Sequence, residues 1–304
     1  CQNTGNGGQY ESPFGSLNLG QQLIPRELKM TDHPILVIGA TGKTGSRVAS
    51  QLEAKGFPVR RASRQSETPF DWEDPNTWEP VLSGVTRAYV TYFPDLAFPG
   101  AIEKLEAFTT DARNSGLEHM VLLSGRGEHF ASLGEDVVRN SGVPFTIVRA
   151  AWFAQNFSEG YLRDPILGGI LPMPGGDIRE PIIDIDDIAD VVVAALTEPG
   201  HIGQRYEVTG PRLVSFADMA QVLSTSLGRN IKHVPITFED FHANIAASGG
   251  DFVADVFTAI ARETLDGRNA STADGVERAL GRKPRDFSDF ADTAAAAGAW
   301  SVSA

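Results

Sequence analysis

The chain has 304 residues, 41% of them hydrophobic and 21% charged, and carries a formal net charge of -13. That composition is ordinary for a globular protein, and the length suits one large α/β domain or a nucleotide domain with a smaller lobe. A diffuse negative surface argues against nucleic acid and anionic membrane as partners, so any anionic cofactor must be held by local backbone amides and a few placed cations.

The apolar runs, such as residues 191–196, are far too short to span a bilayer. The single cysteine, Cys1, forms no intrachain disulfide, which agrees with a reducing, cytoplasmic location. A small-molecule substrate is the expected partner, and a homo-oligomer is left open.

Residues 1–29 are rich in Gly, Asn and Gln and show no period. They read as a flexible leader, native or not, outside the fold. A lipidated Cys1 is the sharper alternative.

Beyond Met30, short apolar runs alternate with helical segments. Ile35 to Ile38 is a continuous apolar run ending in glycine, as a buried parallel strand would be. Lys43 to Lys55 reads as a helix with Val48, Ala49 and Leu52 on one face. Further strands are expected at Pro58 to Ala62, Thr68 to Asp71, Arg87 to Tyr92, His119 to Leu123 and Phe145 to Val148. Helices are expected at Ala101 to Asn114 and Leu133 to Asn140. This rhythm predicts an α/β fold with a doubly wound parallel sheet of Rossmann type.

The rhythm changes after Arg149. Gly168 to Gly176 is dense in Gly and Pro and reads as loop. Asp186 to Leu196 reads as a helix and Arg205 to Val208 as a strand. Ser215 and Asp218 have capping-box spacing for a helix reaching Leu227. The stretch from Phe238 on is mainly helical, with breaks near 249, 267 and 284. The expected organisation is a cofactor domain over residues 30–150. Residues 151–304 form a smaller, mainly helical substrate lobe that partly returns to the sheet.

The chemistry begins at the turn Gly39-Ala40-Thr41-Gly42-Lys43-Thr44-Gly45. Gly39 allows the sharp exit from the strand. Gly42 lets backbone approach a pyrophosphate, and Gly45 lets the new helix pack close to the sheet. The phosphates would sit on free amides at the helix start, so Gly39, Thr41, Gly42, Lys43, Thr44 and Gly45 are cofactor candidates. Gly42-Lys43-Thr44 also resembles the end of a P-loop, but that motif needs a glycine where Val37 stands.

The end of the second strand points to the cofactor. NAD binders usually place an acid there for the ribose hydroxyl. Here the residues are Arg60-Arg61-Ala62-Ser63-Arg64. A 2′-phosphate wants a cation and a hydroxyl, which Arg64 and Ser63 supply, so NADP(H) is favoured. The bland alternative is that these arginines solvate a strand edge. Asp71 is a candidate acceptor for the adenine amino group, or simply a turn residue.

Several pieces together resemble the NmrA-like branch of the atypical short-chain dehydrogenase/reductases. They are the glycine turn, Ser124-Gly125, the run from Ser141 to Arg149, Asp184-Ile185-Asp186-Asp187-Ile188-Ala189, and Tyr206 to Pro211. Phe70-Asp71-Trp72, Leu123 to Glu128 and Trp152 to Phe157 resemble, more narrowly, the ergot-alkaloid group containing the agroclavine and festuclavine dehydrogenases. Those relatives reduce a cyclic iminium with NADPH, so the resemblance implies a reductase of a small organic molecule.

One departure shapes the chemistry. Ordinary members of the superfamily use Tyr-x-x-x-Lys as acid, and none of the five tyrosines here has a lysine four residues on. Where some NmrA-like reductases carry a lysine, this chain has about Ala131. A ketone would need an acid to protonate its alkoxide. An iminium or a quinone needs mainly positioning beside the nicotinamide.

Ser124 and Glu128 are the weak catalytic candidates, at the carboxyl edge of the sheet. Ser124 would hydrogen-bond nicotinamide or substrate, and Glu128 would attract a cationic iminium or merely cap the loop. His129 reads as a loop histidine. Trp152, Phe153 and Phe157 are either a substrate-pocket wall or core. No metal site is expected, and the acids from Asp184 to Asp190 suit a helix start. The expected function is an NADPH-dependent reductase of an iminium or quinone-like acceptor. The alternative is a non-catalytic NADP(H)-binding redox sensor acting through a protein partner.

Overall fold

The computed structural model describes residues 1–2 and 33–301. From residue 3 onward the expected leader, residues 1–29, lies outside the described residues.

The first half alternates strand and helix: β1 (Ile35–Ile38), α1 (Lys43–Ala54), β2 (Val59–Ala62), α2 (Trp78–Leu82), β3 (Arg87–Val90), α3 (Ala101–Asn114), β4 (His119–Gly125), α4 (His129–Asn140) and β5 (Phe145–Ala150). The second half holds α5 (Asn156–Glu159), α6 (Arg163–Leu167), β6 (Ile170–Met173), β7 (Arg179–Glu180), α7 (Ile185–Thr197), β8 (Arg205–Val208) and β9 (Val214–Ser215). It ends with α8 (Phe216–Leu227), β10 (Lys232–Pro235), α9 (Phe238–Gly249), α10 (Asp251–Thr264), α11 (Gly275–Leu280) and α12 (Phe287–Ala296).

Six parallel strands form the central sheet in the order β2-β1-β3-β4-β5-β8. All four residues of β1 are buried, because helices cover both faces of the sheet and no side of the strand meets water. On one face Val48 and Leu52 of α1, Ile188 and Val192 of α7, and Val276 of α11 share a core. On the other, Val81 of α2, Leu105 and Phe108 of α3, and Val138 of α4 do the same. The chain returns to the sheet through β8, which pairs in parallel with β5. A separate core in the lobe joins Phe157, Leu171, Phe216, Met219 and Phe287.

Three expectations are corrected. Thr68 to Asp71 is not a strand. Pro69 removes a ladder donor, and local bonds hold the segment instead, Phe70 N–H donating to Ser63 O at 3.0 Å and Asp71 N–H to Thr77 Oγ1 at 3.0 Å. Its rings go inward, Phe70 and Trp72 stacking edge-on at 4.9 Å, and β2 is left at the sheet edge. Gly168 to Gly176 is not all loop, since β6 pairs in parallel with β10 there. Pro172 is tolerated because this sheet has only two strands, so every strand is an edge. Finally, α4 starts one turn before Leu133. Its first turn is exposed at His129 and Phe130 and carries no apolar signal, although Ala131, Gly134, Glu135 and Val138 keep helical spacing on the buried face.

The acidic run before α7 serves structure. Asp184 caps the helix by accepting from Asp186 N–H at 2.9 Å. Asp187 is wholly buried and accepts from Arg285 N–H at 2.7 Å while pairing with Arg282 Nη1 at 2.7 Å. This clamp ties the segment entering α12 to the sheet domain. Replacing one partner leaves the other charge uncompensated. Asp187→Ala is therefore expected to lose about 3–5 kcal/mol in urea unfolding, and a loss below about 1 kcal/mol would show that the clamp is not structural.

Candidate functional site

At the turn after β1, Gly39 has φ 70°, and a Cβ there would lie 2.6 Å from Thr91 Cγ2. Gly42 N–H donates to Gly39 O at 2.8 Å. A Cβ on Gly45 would lie 2.2 Å from the same carbonyl oxygen, so α1 crosses the turn at a distance only glycine permits. No side chain caps α1, and no acid stands in its first turn. A helix start of this kind suits an anion.

The side chains of the turn divide in use. Thr41 and Gly42 are exposed. Thr44 is buried, and its hydroxyl accepts from Tyr89 OH at 2.8 Å, so that hydroxyl braces the turn from within. Lys43 Nζ donates to Asn156 Oδ1 at 2.7 Å. Burial lowers its pKa, partly countered by Glu159 and assisted by Arg47. Arg47 in turn pairs with Glu159 at 2.6 Å and Asp186 at 2.9 Å. The turn is thereby fastened to α5 and α7.

The arginines at the end of β2 are not equivalent. Arg60 donates to Val81 O at 2.8 Å, and Arg61 forks onto Glu53 at 2.8 Å through both Nε and Nη2. Arg64 is exposed and makes no hydrogen bond or ion pair among the described residues. Ser63 is half-buried, with Oγ 2.8 Å from Ser66 Oγ. Asp71 Oδ1 accepts from Glu73 N–H at 3.0 Å, the geometry of a turn.

At the carboxyl edge of β4, Ser124 is buried and donates to Glu135 Oε1 at 2.7 Å. Glu135 also receives Arg149 Nε at 2.7 Å and Nη2 at 2.6 Å. The Ser124 hydroxyl is thus committed to a buried network. Glu128 folds back over the strand end, where a Cβ on Gly125 would meet its Oε1 at 2.1 Å. Burial, then the nearby Asp95 and Glu263 carboxyls, push its pKa well above the ordinary carboxylate range. Its surroundings favour the protonated acid over the anion that would attract an iminium. His129 is exposed and is the first residue of α4 rather than a loop residue.

Trp152 is half-buried and donates from Nε1 to Thr264 Oγ1 at 3.1 Å, and Phe153 is half-buried beside Ile183. Phe157 has no exposed surface and packs on Phe287 with ring centroids 5.1 Å apart, so its role is packing in the lobe. The helix α10 also reaches the segment after β3, where Phe98 meets Phe252 at 5.6 Å and Phe257 at 6.1 Å.

Two features escaped the sequence. A tyrosine and a lysine do meet, Tyr92 with Lys104, where burial raises the phenol's pKa and Lys104 lowers it. Spacing along the chain cannot reveal that pair. It lies beside Trp72 and Glu73 rather than at the end of β4. The second feature is Glu180, only 1% exposed, with neither carboxylate oxygen hydrogen-bonded. Burial raises its pKa to about 7, with Arg126 opposing and Asp266 reinforcing. Arg179-Glu180-Pro181 has no pattern that marks a buried acid.

Among the described residues no group of His, Cys, Asp and Glu is arranged to hold a metal ion, and no helix is long and apolar enough to cross a membrane. The sheet order and the glycine turn define a Rossmann-type dinucleotide-binding fold. Residues 129–291 match the NmrA-like family, and the chain belongs to it. It is 33% identical to the NAD(P)H azoreductase of Xenophilus azovorans, over 86% of this chain and 98% of that protein. It is 30% identical to the festuclavine dehydrogenase of Aspergillus fumigatus, over 85% and 96%. The structure of the Citrobacter sp. triphenylmethane reductase complexed with NADP(H) aligns with a TM-score of 0.68 at 21% identity, covering 86% of this chain and 99% of that one. That likeness is one of fold.

Two measurements check this geometry. Arg64→Ala should weaken NADPH binding by about 1.5–3 kcal/mol, the value of a charge-assisted bond, and leave NADH binding unchanged; equal affinities for both cofactors in wild type and variant would remove Arg64 from the site. Glu180 binds its proton more tightly folded than unfolded, so its contribution to stability is complete below about pH 4.5 and lost as pH rises through about 7. Glu180→Gln should therefore gain on the order of 1–3 kcal/mol over wild type above that range and little below it. Parallel stability–pH curves for the two proteins would contradict the shift.

Proposed function

We propose that this protein is an NADPH-dependent reductase that delivers hydride to a small organic acceptor of the iminium or quinone type. The observation that carries the reading is the uncapped start of α1 over the Gly39–Gly45 contact, with the uncommitted Arg64 at the end of the neighbouring strand. Membership of a family whose named relatives include an NAD(P)H azoreductase and a festuclavine dehydrogenase supports it.

In this reading the amides of residues 41–45 bind the pyrophosphate, and Arg64 with Ser63 binds the 2′-phosphate. Asp71 is the proposed acceptor for the adenine amino group. Bound NADPH supplies the hydride. Trp152 and Phe153 flank the acceptor, and the ends of β4 and β5 hold it against the cofactor.

In this reading no tyrosine–lysine acid takes part. Tyr89 is bonded to Thr44 and Tyr206 to His201, the Tyr92–Lys104 pair is engaged with Trp72 and Glu73, and Ala131 is buried in the core. An acceptor that is already cationic, or that spreads the arriving charge, suits such a site. A plain ketone does not.

The test follows NADPH oxidation by its absorbance at about 340 nm against a panel of quinones, cyclic iminium ions and simple ketones. Turnover is expected with the first two classes and at least about tenfold less with ketones, a barrier difference of roughly 1.4 kcal/mol. Tight NADPH binding without turnover of any acceptor above the uncatalysed rate would overturn the reductase reading in favour of a redox sensor.

A further inference from the structure

Glu180 is the one described carboxyl whose two oxygens are both buried and without a hydrogen-bond partner. Leaving a buried polar group unpaired costs its desolvation with nothing in return, so a native protein seldom does so without use. Its surroundings could have satisfied it and do not. Arg126 directs four of its five N–H groups to Glu207, Asn269 O, Ser271 O and Ser271 Oγ, and none to Glu180. Asp266 is held by Arg268 at 2.9 Å. Arg179, the neighbour within β7, reaches Asp218 at 3.5 Å.

The position of Glu180 is equally specific. Three residues further on, Ile183 N–H donates to Trp152 O at 2.9 Å and Ile183 O accepts from Ala154 N–H at 2.8 Å. That pairing draws the segment after β7 to the end of β5. Arg126 comes directly after β4, and Asp266 directly after α10. The carboxyl thus interacts with residues that follow β4 and α10, on a segment that is itself drawn to the end of β5. In an open α/β sheet that is where ligands bind.

We propose that Glu180 is an anchor in the acceptor cleft for a substrate group that donates N–H or O–H hydrogen bonds, such as an arylamine or a phenol. The site rests on the reductase reading only for the statement that the bound molecule is a hydride acceptor. Its two free oxygens accept from the ligand when ionised. Taking a proton removes part of that capacity, and the charged groups facing it are Arg126 and Asp266, with Arg179 beside it on the same strand. The preferred acceptors are thus aromatic molecules bearing an amino or hydroxyl group, and the preference grows with pH through the range in which Glu180 ionises.

The experiment uses protein saturated with NADP⁺, which cannot reduce the ligand. Isothermal titration compares an aminonaphthoquinone, whose amino group does not titrate near neutrality, with the parent naphthoquinone. Wild type at about pH 8 should bind the amino compound about 10–100-fold more tightly, the range of a charge-assisted hydrogen bond. The preference should shrink at about pH 6. Glu180→Leu should abolish it while leaving the parent quinone and NADP⁺ within about twofold. Glu180→Gln, close in shape, should keep a reduced preference with no pH dependence. No preference in wild type, an undiminished preference in Glu180→Leu, or equal weakening of both quinones would overturn the anchor and leave Glu180 as a carboxyl solvated by buried water. Turnover with NADPH is measured separately, so a protein that binds selectively yet reduces neither quinone would refute the reductase and retain the anchor.

Discussion

The placement of α1 depends on an atom that is missing. A Cβ on Gly45 would lie 2.2 Å from Gly39 O, closer than any packed carbon and oxygen can stand. Because it is absent, the helix start comes down onto the turn, and much else follows from that position. Lys43 reaches Asn156, and Arg47 reaches both Glu159 and Asp186. These links run from the glycine turn into α5 and α7, so the second half of the chain is set against the first through the helix that, in the proposed reading, carries the pyrophosphate. Moving α1 outward to admit a larger residue would disturb the turn and these links together.

The charge distribution repeats this economy. Acids outnumber bases by 39 to 26, so the long-range field opposes a polyanionic cofactor. Short-range geometry has to compensate, and near the turn the cations are rationed accordingly. Arg60 satisfies backbone carbonyls at the end of α2, Arg61 neutralises Glu53, and Arg47 holds Glu159 of α5. Arg64 stands one residue past Ser63 at the open end of β2 without such duties among the described residues. A guanidinium already paired would have to be unpaired before it bound phosphate. An exposed one gives up only water.

The fold was legible in the sequence wherever a periodic apolar signal coincided with punctuation. β1 ends in Gly39, β4 in Ser124-Gly125, and Ser215 with Asp218 forms the predicted capping box of α8. It failed where a local signal misled. Thr68 to Asp71 has the apolar character of a strand, but Pro69 and the ring cluster around Trp72 decide otherwise. The Gly and Pro residues flanking β6 mark its ends rather than the whole segment, and pairing with the distant β10 makes it a strand. The geometry of the glycine turn was readable because it lies in backbone and glycine spacing. The surroundings of Phe157 and Glu180 were not, because their character comes from burial. Phe157 is core only because α12 packs on it, and Glu180 is buried only through residues far away in sequence.

That burial matters for the proposed reaction. A permanent carboxylate beside an iminium would attract it most strongly before hydride arrives, since the product is neutral. Such an interaction stabilises the ground state more than the transition state and raises the barrier. The end of β4 avoids this. Glu128 lies over Gly125 with the Asp95 and Glu263 carboxyls nearby, and burial and like charge both favour its neutral form. A neutral carboxyl in a low-dielectric cleft offers a hydrogen bond to an oxygen on which negative charge develops, as in quinone reduction, and it imposes no penalty on a cation losing its charge. An acidic protein that placed standing anions at this edge would be a binder of organic cations. With the Glu128 carboxyl held toward its protonated form, the end of β4 fits the proposed reduction of such cations better than their retention.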